Sequence, residues 1–335
     1  MTPGTGAGSA AAGHRPRAGR RFPWPARVAA FAAGLLVILV VVSSGQARSS
    51  LWADAAYATR CLAVGAAVTA DPGSGRSNLE TFLREDERMG PLTIRRSFDS
   101  ALPSSFDRSA AAGDPEAGLH TFVSWKPPGG DHRGAAAGRY DEQVAAWARS
   151  VPDGVFATSF HEPENDMTGP EFVAFQRHLH TVVTEANPGI HWGPVYMAYW
   201  WDPARPSHYI GDPALWWPGD DHADFAGLDW YGADPEPMTS SPSFLHWYRF
   251  VEPTGLPLFI TEYGQYVLRD GEQPDPALLQ ERVDAIRSDA AWIAEHPRIR
   301  MWLYWQGTGR RGDWRLHDEA SREAWRAVAE TGCHG

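Results

Sequence analysis

Two glutamates stand where an apolar run of the chain gives way to a polar loop. Glu162 follows the run 155–161, and Glu262 follows the run 258–261. A carboxylate is a costly choice at such points, because apolar surroundings disfavour its charge. A pair of carboxylates is what glycoside hydrolysis requires, since one protonates the leaving oxygen while the other attacks the sugar carbon or activates water. Both residues are therefore candidates for this chemistry.

Neighbouring side chains are candidates for setting the protonation of these glutamates, whose pKa values must differ if they are to play different parts. His161 directly precedes Glu162. Arg96 could keep Glu262 ionised through a charge-assisted hydrogen bond. The adjacent Arg95 is an equal candidate for that contact on sequence alone.

The elements that position these residues are predicted from short apolar runs that alternate with helical patterns. The apolar runs are nearly continuous in hydrophobicity, as strands covered on both faces should be. The predicted strands span 61–68, 92–97, 120–125, 155–161, 190–197, 225–230, 258–261 and 301–305. The predicted helices span 79–87, 140–149, 170–185, 276–295 and 320–329.

Eight strands alternating with helices predict a (β/α)8 TIM barrel, a fold of ~250 residues. A doubly wound sheet would need a glycine-rich phosphate loop after its first strand, and the chain has no G-x-G-x-x-G there. Barrel enzymes carry their chemistry at the C-terminal ends of the strands. Glu162 and Glu262 fall at the ends of the fourth and seventh predicted strands, so they are expected to face each other across the barrel mouth.

The motifs around both glutamates resemble the clan of retaining (β/α)8-barrel glycoside hydrolases, in which the acid/base glutamate ends strand four and the nucleophile ends strand seven. His161-Glu162 is most similar to family 26, the β-mannanase family. Weaker matches follow in order after residue 60, at 96–98, 124–126 and 217–231. The segment 161–165 reads HEPEN, whereas mannanases of that family read HEMNG, so the chain is treated as a divergent relative.

The resemblance implies roles for individual residues. Glu162 is expected to be the acid/base, with Glu164 as the alternative, and Glu262 the nucleophile. Tyr231 is expected to hydrogen-bond Glu262, as the strand-six tyrosine of the clan does. The residues expected to bind substrate are Arg96, Trp125, Lys126, His161, Asn165, Trp200, Trp230, Tyr231 and Trp305.

The 16 tryptophans divide into two predicted groups. Sugar rings have apolar faces that stack on aromatic planes, so tryptophans at strand ends are expected to line a glycan cleft. Tryptophans within predicted helices are expected to be packing residues. The second group comprises Trp147, Trp292 and Trp325.

Composition excludes several classes of function. The 335 residues are 43% hydrophobic, enough for a sizeable core, and their net charge of −11 argues against a nucleic-acid partner. Two cysteines exclude a disulfide-dense scaffold and a four-cysteine zinc site. His161-Glu162 does not begin a zinc-binding helix, because Pro163 would break it and position 165 is Asn.

The N-terminal segment is typical of an export signal. Residues 1–47 hold five arginines and no acidic residue, and an apolar run of 15 residues spans 28–42. A signal peptide cleaved near Ala47 is expected, with an uncleaved signal anchor as the alternative. Removing this segment leaves 288 residues with a net charge of −16. An exported location permits a disulfide, and Cys61 and Cys333 are expected to join the two ends of the barrel, with two free buried thiols as the alternative.

The sequence thus predicts a secreted or membrane-anchored glycoside hydrolase, with a signal segment at 1–47 and one catalytic barrel domain at 48–335. It is expected to cleave β-linked polysaccharide, mannan or a related β-glycan, by the retaining mechanism, as a monomer without cofactor or metal. The expected partner is a polysaccharide or oligosaccharide, with no nucleic acid, and with membrane contact only through an uncleaved N-terminus. The alternatives are a non-catalytic glycan-binding protein on the same barrel and a transglycosylase.

Overall fold

The computed structural model describes residues 61–71 and 73–333. The predicted signal segment lies outside these residues. Within them, no helix combines the length and the apolar character needed to cross a bilayer.

Nine parallel strands form one continuous sheet. The strands are β1 Ala63–Val68, β2 Ile94–Phe98, β3 His120–Trp125, β4 Phe156–Ser159, β5 His191–Trp192, β6 Val195–Met197, β7 Ala226–Gly232, β8 Leu258–Gln265 and β9 Ile299–Gln306. Their order is β5-β4-β3-β2-β1-β9-β8-β7-β6. A short antiparallel hairpin, β10 Thr308–Gly309 with β11 Gly312–Asp313, follows the last strand.

The two outer members of the sheet are halves of the fifth predicted strand. β5 pairs with β4 and β6 pairs with β7, while Gly193 and Pro194 between them break the strand. Pro194 has no N–H to donate to a ladder, and a side chain at Gly193 would meet the carbonyl oxygen of Phe225 at 2.4 Å. Because β5 and β6 lie on one stretch of chain, residues 190–197 join the two outer edges of the sheet. The predicted (β/α)8 barrel is therefore confirmed.

Seven α-helices accompany the strands in the described part of the chain. They are α1 Asn78–Met89, α2 His132–Ala136, α3 Asp141–Ser150, α4 Gly169–Ala186, α5 Pro242–Val251, α6 Pro276–Glu295 and α7 Glu319–Glu330. All five predicted helices are present, and α2 and α5 were not predicted. Side chains of Ser77, Ser241, Asp275 and Asp318 accept hydrogen bonds from the first turns of α1, α5, α6 and α7.

Two packed layers support the barrel mouth. Four phenylalanines on different strands, or directly before one, form the inner layer. Their contacting rings have centroids 4.5–6.3 Å apart, and they are Phe122, Phe156, Phe225 and Phe259. All four side chains are buried inside the barrel. The Arg96 guanidinium lies 5.1 Å above the Phe122 ring, so the polar groups of the mouth rest on an aromatic floor.

Outside the sheet, Trp147 and Trp325 are fully buried against it and Trp292 packs on the same apolar cluster, which confirms their packing role.

A disulfide joins Cys61 to Cys333, with a Cα–Cα distance of 5.2 Å. Cys61 precedes β1, and Cys333 follows α7 by three residues. The backbone N–H of Cys333 donates to the carbonyl of Leu62 at 2.9 Å. The first strand and the last helix of the barrel are therefore fastened together.

Candidate active site

Glu162 is held by an unusual stretch of backbone at the end of β4. The strand stops at Ser159, three residues before Glu162, rather than at His161 as predicted. Phe160 and Glu162 have φ angles of 53° and 56°, a region that non-glycine residues adopt at a cost of order 1 kcal/mol or more. The Glu162 N–H donates to the carbonyl of Val195 at 2.9 Å, which ties this turn to the next barrel strand.

Glu262 lies inside β8 rather than after it. The pairing of β8 shifts register on both sides at this point, and the irregularity turns the side chain toward the barrel axis. The hydroxyl of Tyr231, on β7, donates to Glu262 Oε2, which is the contact that the resemblance implied. Glu262 is 4% exposed.

Arg96 rather than Arg95 contacts Glu262. Neighbouring residues of a strand point to opposite faces of the sheet, and Arg96 points inward. Its Nη1 lies 3.1 Å from Glu262 Oε1 and 2.6 Å from Asp229 Oδ1. Arg95 points outward, where it donates to Asp114 at 2.6 Å.

Asp229 is the residue that sequence reasoning missed at the centre of the site. It is fully buried on β7, where it accepts hydrogen bonds from Arg96 and from Thr261 Oγ1 at 2.6 Å. Burial by itself would lower the pKa of Arg96, but Asp229 and Glu262 outweigh that effect and raise it. The position of Asp229, two residues before Tyr231 and hence on the same face of the strand, was a usable signal.

Three carboxylates meet around this arginine. One oxygen from each of Glu162, Asp229 and Glu262 lies within 4.8 Å of the other two. These are described residues that could hold a cation, but the Arg96 guanidinium already supplies a positive charge between two of them. The donor set therefore forms a carboxylate–arginine cluster, and we assign no metal to it.

Burial raises the pKa of both glutamates, and their different contacts distinguish them. Burial, followed by the charges of Asp229 and Glu164, raises the pKa of Glu162 to about 8, against the opposing effect of Arg96. Burial also raises the pKa of Glu262, which Arg96 opposes. Two carboxyl groups this close share a proton near neutral pH. Because Arg96 and Tyr231 contact Glu262, the proton belongs on Glu162.

Glu164 is not one of the three clustered carboxylates, and its oxygens are occupied by other partners. It accepts hydrogen bonds from Trp201 Nε1 at 3.0 Å and from the N–H of Met197 at 3.2 Å. Burial raises its pKa to about 8. These contacts fix the loop after β4 to the end of β6 and to the segment that follows it, and they favour Glu162 over Glu164 as the acid.

His161 is a neutral side chain beside the cluster. Burial, then the charges of Arg96 and Lys126, lower its pKa well below the usual value. Its ring meets the edge of Phe98 with centroids 5.4 Å apart. Its Nδ1 is buried and has no hydrogen-bond partner among the described residues, so this atom is left for a further polar contact.

A cavity of about 610 Å³ opens beside the carboxylates. Its wall contains Glu162, Tyr231 and Trp305 from the predicted set. It also contains Tyr199, one of the strand-end aromatic residues expected from the sequence to stack on sugar rings. Most of the other wall residues had no role predicted from the sequence, and they include Asp202, Arg205, Asp234, Glu236, Arg310, Arg311 and Trp314. Arg310 and Arg311 form the tip of the β10–β11 hairpin.

The prediction that tryptophans at strand ends stack on sugar rings is wrong for Trp125 and Trp230. Trp125 is 1% exposed and lies behind the sheet, with its ring 5.3 Å from Trp147. Trp230 is 2% exposed, stacks on Tyr263 and donates from Nε1 to Ser241 at 3.0 Å. Both alternate onto the outer face of their strands, so neither offers a face to a ligand, although an edge of Trp230 contributes to the cavity wall.

Three other predicted residues form the rim beside Glu162. Asn165 donates to Glu162 Oε2 at 3.4 Å and accepts from Trp200 Nε1 at 3.0 Å. Trp200 is half-buried. Lys126 pairs with Asp166 at 3.0 Å, which occupies the ammonium expected to contact substrate.

Solved structures that match this fold include glycoside hydrolases. The catalytic domain of a GH26 endo-β-1,4-mannanase from Bacillus sp. JAMB-750 is 17% identical, with a TM-score of 0.54, over 84% of this chain and 89% of that one. A family 39 glycoside hydrolase from Bacteroides cellulosilyticus WH2 is 14% identical, with a TM-score of 0.56, over 81% and 64%. A fungal β-1,4-galactanase is 11% identical, with a TM-score of 0.52, over 79% and 93%.

No family model matches the sequence, and no curated protein matches it. At these low identities the structural likeness concerns the fold. The chain has the (β/α)8-barrel fold of these glycoside hydrolases, with a cluster of carboxylates at the mouth of the barrel.

Proposed function

We propose that the protein is a glycoside hydrolase that cleaves β-linked polysaccharide by the retaining mechanism. One observation carries the proposal: Glu162 and Glu262 approach across the barrel mouth, and one carboxylate oxygen of each lies within 4.8 Å of the other. Retaining enzymes hold their two carboxyl groups ~5–5.5 Å apart, whereas inverting enzymes leave ~6.5–9.5 Å for a water. The observed spacing fits direct attack by one carboxylate.

In the first step, protonated Glu162 gives its proton to the glycosidic oxygen while the Glu262 carboxylate attacks the anomeric carbon. The bond from that carbon to the leaving oxygen breaks, and the sugar becomes an ester of Glu262. In the second step, Glu162 removes a proton from water, whose oxygen attacks the same carbon. Glu262 leaves as a carboxylate, and both groups return to their starting states.

Other side chains support this assignment of roles. Arg96 and Tyr231 both contact Glu262, and both stabilise its ionised form. The raised pKa of Glu162 keeps the acid protonated at neutral pH. Asn165 reaches the same carboxyl group from the rim.

The substrate class follows from the cavity and from the proteins that share the fold. Tyr199, Tyr231 and Trp305 supply aromatic surface in the wall of the cavity, which suits the apolar faces of sugar rings. The matched structures are described as a β-1,4-mannanase and a β-1,4-galactanase. We take a β-glycan as the substrate, with mannan as the first candidate because of His161-Glu162.

The test is a screen of β-mannan, β-galactan, β-glucan and xylan for release of reducing ends by the wild type, E262Q and E162Q. Wild-type activity on at least one substrate should fall at least a thousandfold in E262Q, because the nucleophile is lost. NMR of the first product formed should show the β anomer. Full activity of E262Q, or release of the α anomer, would contradict the proposal.

The same screen separates the two alternatives. A non-catalytic glycan-binding protein would retain a glycan without releasing reducing ends, and E262Q would bind it as the wild type does. A transglycosylase would form longer oligosaccharides from a short substrate at the expense of hydrolysis.

We further propose that the protein is exported, with 1–47 as signal peptide or anchor and the barrel outside the cytoplasm. The basic and apolar pattern of the N-terminus supports this. The Cys61–Cys333 disulfide also supports it, because such bonds persist in oxidising compartments. N-terminal sequencing of the protein recovered from culture medium and from membranes would distinguish cleavage from anchoring.

A further inference from the structure

A second cavity, of about 250 Å³, lies outside the barrel wall at the same end of the strands. Thr69 follows β1 and Gln306 ends β9, and both line this cavity together with side chains of α1 and α7. Trp305 and Gln306 are neighbours on β9, so they point to opposite faces of the sheet. The second cavity is therefore distinct from the one beside Glu162.

The lining of this second cavity is basic, although the chain as a whole carries a net charge of −11. Its cationic side chains are Arg76, Arg84, Arg88, Arg315 and Arg322. The acidic residues in the lining are Asp71 and Glu85. An excess of positive charge in a concave site concentrates anions there.

Both acidic residues are already neutralised. Asp71 pairs with Arg315 at 2.6 Å, and Glu85 pairs with Arg88 at 2.9 Å. Glu85 also accepts from Gln306 Nε2 at 2.8 Å. No acidic residue of the lining is therefore left to pair with its other arginines, which are Arg76, Arg84 and Arg322.

In the described part of the chain, two guanidinium groups of the lining have no carboxylate within 4.0 Å, and a third has only a distant one. Among the described residues, none pairs within 4.0 Å with Arg76 or Arg84, and Arg76 attracts Glu80 only at longer range. Arg322 approaches Glu319 no closer than 3.8 Å. Its Nε is buried and has no hydrogen-bond partner within the described residues, although its side chain is 19% exposed.

We propose that this basic cavity binds a small ligand bearing a phosphate group. A phosphate monoester carries close to two negative charges at neutral pH and accepts hydrogen bonds on three oxygens. Guanidinium groups match this geometry with paired N–H donors. Arg76 and Arg84, which pair with no carboxylate among the described residues, and Arg322, whose pair with Glu319 is 3.8 Å long, offer enough donors and charge for such a group. The volume leaves room for a small attached residue such as a polyol.

The test measures binding of inorganic phosphate and of glycerol 3-phosphate to the purified full-length chain by calorimetry, at pH 7.5 and constant ionic strength set with chloride. One molecule should bind per chain, and saturating ligand should raise the melting temperature by about 2–4 °C. Tighter binding of glycerol 3-phosphate would identify a phosphate ester as the ligand. Tighter binding of inorganic phosphate would identify the free anion.

R76Q and R84Q should each weaken binding roughly tenfold, because each removes a charge-assisted contact. Both side chains are exposed at the edge of the cavity, so the fold should persist, which circular dichroism would check. R149Q, which changes an exposed arginine on α3, is the matched control and should bind as the wild type does. Phosphate binding no stronger than that of chloride, or unchanged in R76Q/R84Q, would overturn the proposal, whatever the result for glycan hydrolysis.

Discussion

The proton on Glu162 is the chemical consequence of its burial beside two other carboxylates. Its pKa of about 8 makes it an acid at neutral pH and a carboxylate above that value. Arg96 forms ion pairs with Asp229 and Glu262, so it stabilises the ionised form of Glu162 to a lesser extent. The protonation states of the site therefore follow from which carboxylates the single arginine contacts.

We predict that kcat/KM on a β-aryl glycoside falls on the alkaline side with an apparent pKa near 8. The acid must be protonated to act, so activity is lost as pH rises through the pKa of Glu162. The measurement is a pH profile of the wild type with a phenyl glycoside, whose leaving group needs the proton, and of E162A with a dinitrophenyl glycoside, whose leaving group does not.

The E162A profile should lack this alkaline limb. Azide should accelerate its turnover and yield a β-glycosyl azide, because azide can attack the ester on Glu262 without help from a base. An alkaline limb at the same pH in E162A would assign that ionisation to another group. E164Q is a useful comparison, since Glu164 also has a raised pKa but contacts Trp201 and Met197 instead.

We predict opposite effects for two tryptophans that the sequence placed in one group. W125A should destabilise the fold by about 3–5 kcal/mol, because it leaves a cavity in the core. W305A should change the melting temperature little, because Trp305 is partly exposed in the wall of the cavity, while raising KM for a β-glycan about tenfold. Thermal unfolding and steady-state kinetics of both variants test this, and a KM effect of W125A without a stability loss would contradict it.

The strands and most helices were well predicted because each has a local pattern in the sequence. The direction in which each strand residue points, into the barrel or outward, has no such pattern. All eight predicted strands are present in the structure. Strands covered on both faces are apolar throughout, so alternation does not show which residue points inward. For this reason Arg95 and Arg96 were equivalent in the sequence, and Trp125 and Trp230 were misplaced.

The missed helix α5 had a local signal. Ser241 caps it and Pro242 occupies its first position, a favourable start for a helix. The β10–β11 hairpin had only a turn signal in its glycines. Its place in the cavity wall depends on where β9 ends in three dimensions, which no local pattern encodes.

We predict that G312A displaces this hairpin. Gly312 has a φ of 135°, and an added Cβ would lie 2.3 Å from the carbonyl oxygen of Leu268. Because the tip carries Arg310 and Arg311 into the cavity wall, KM should rise about five- to tenfold with a small change in melting temperature. The measurement is steady-state kinetics on the substrate found in the screen.

G309A is the control for this hairpin variant. An added Cβ at Gly309 meets only Trp314 Nε1, at 3.7 Å, so KM should stay within about twofold of the wild type. Equal effects of the two substitutions would show that the position of the hairpin does not matter for binding.

The closed barrel explains why residues far apart in the sequence meet at one site. Arg96 and Asp229 are separated by 133 positions, yet their side chains lie 2.6 Å apart. Parallel strands bring all their C-terminal ends to one rim, so the pattern of strands predicted the meeting of Glu162 and Glu262. To predict the Arg96–Asp229 pair, the register of the barrel strands must also be known. That register depends on packing of the aromatic floor rather than on any local signal.

The disulfide fastens this closed arrangement at the point where the chain enters and leaves it. Cys61 and Cys333 are 272 positions apart, so the bond restricts nearly the whole of the described chain when it unfolds. We predict that C61S/C333S lowers the free energy of unfolding by about 3–5 kcal/mol, because the bond removes loop entropy from the unfolded state. Thermal unfolding of the double variant, and of the wild type with and without reductant, measures this.

Reductant should lower the melting temperature of the wild type toward that of C61S/C333S and leave the variant unchanged. The carboxylate cluster lies on strands β2, β7 and β8 and on the loop after β4, none of which contains a cysteine. Activity at 25 °C should therefore persist in the variant. If the wild type and C61S/C333S unfold at the same temperature, the bond does not constrain the unfolded chain. If activity disappears while the variant remains folded, closure of the barrel ends must position the site itself.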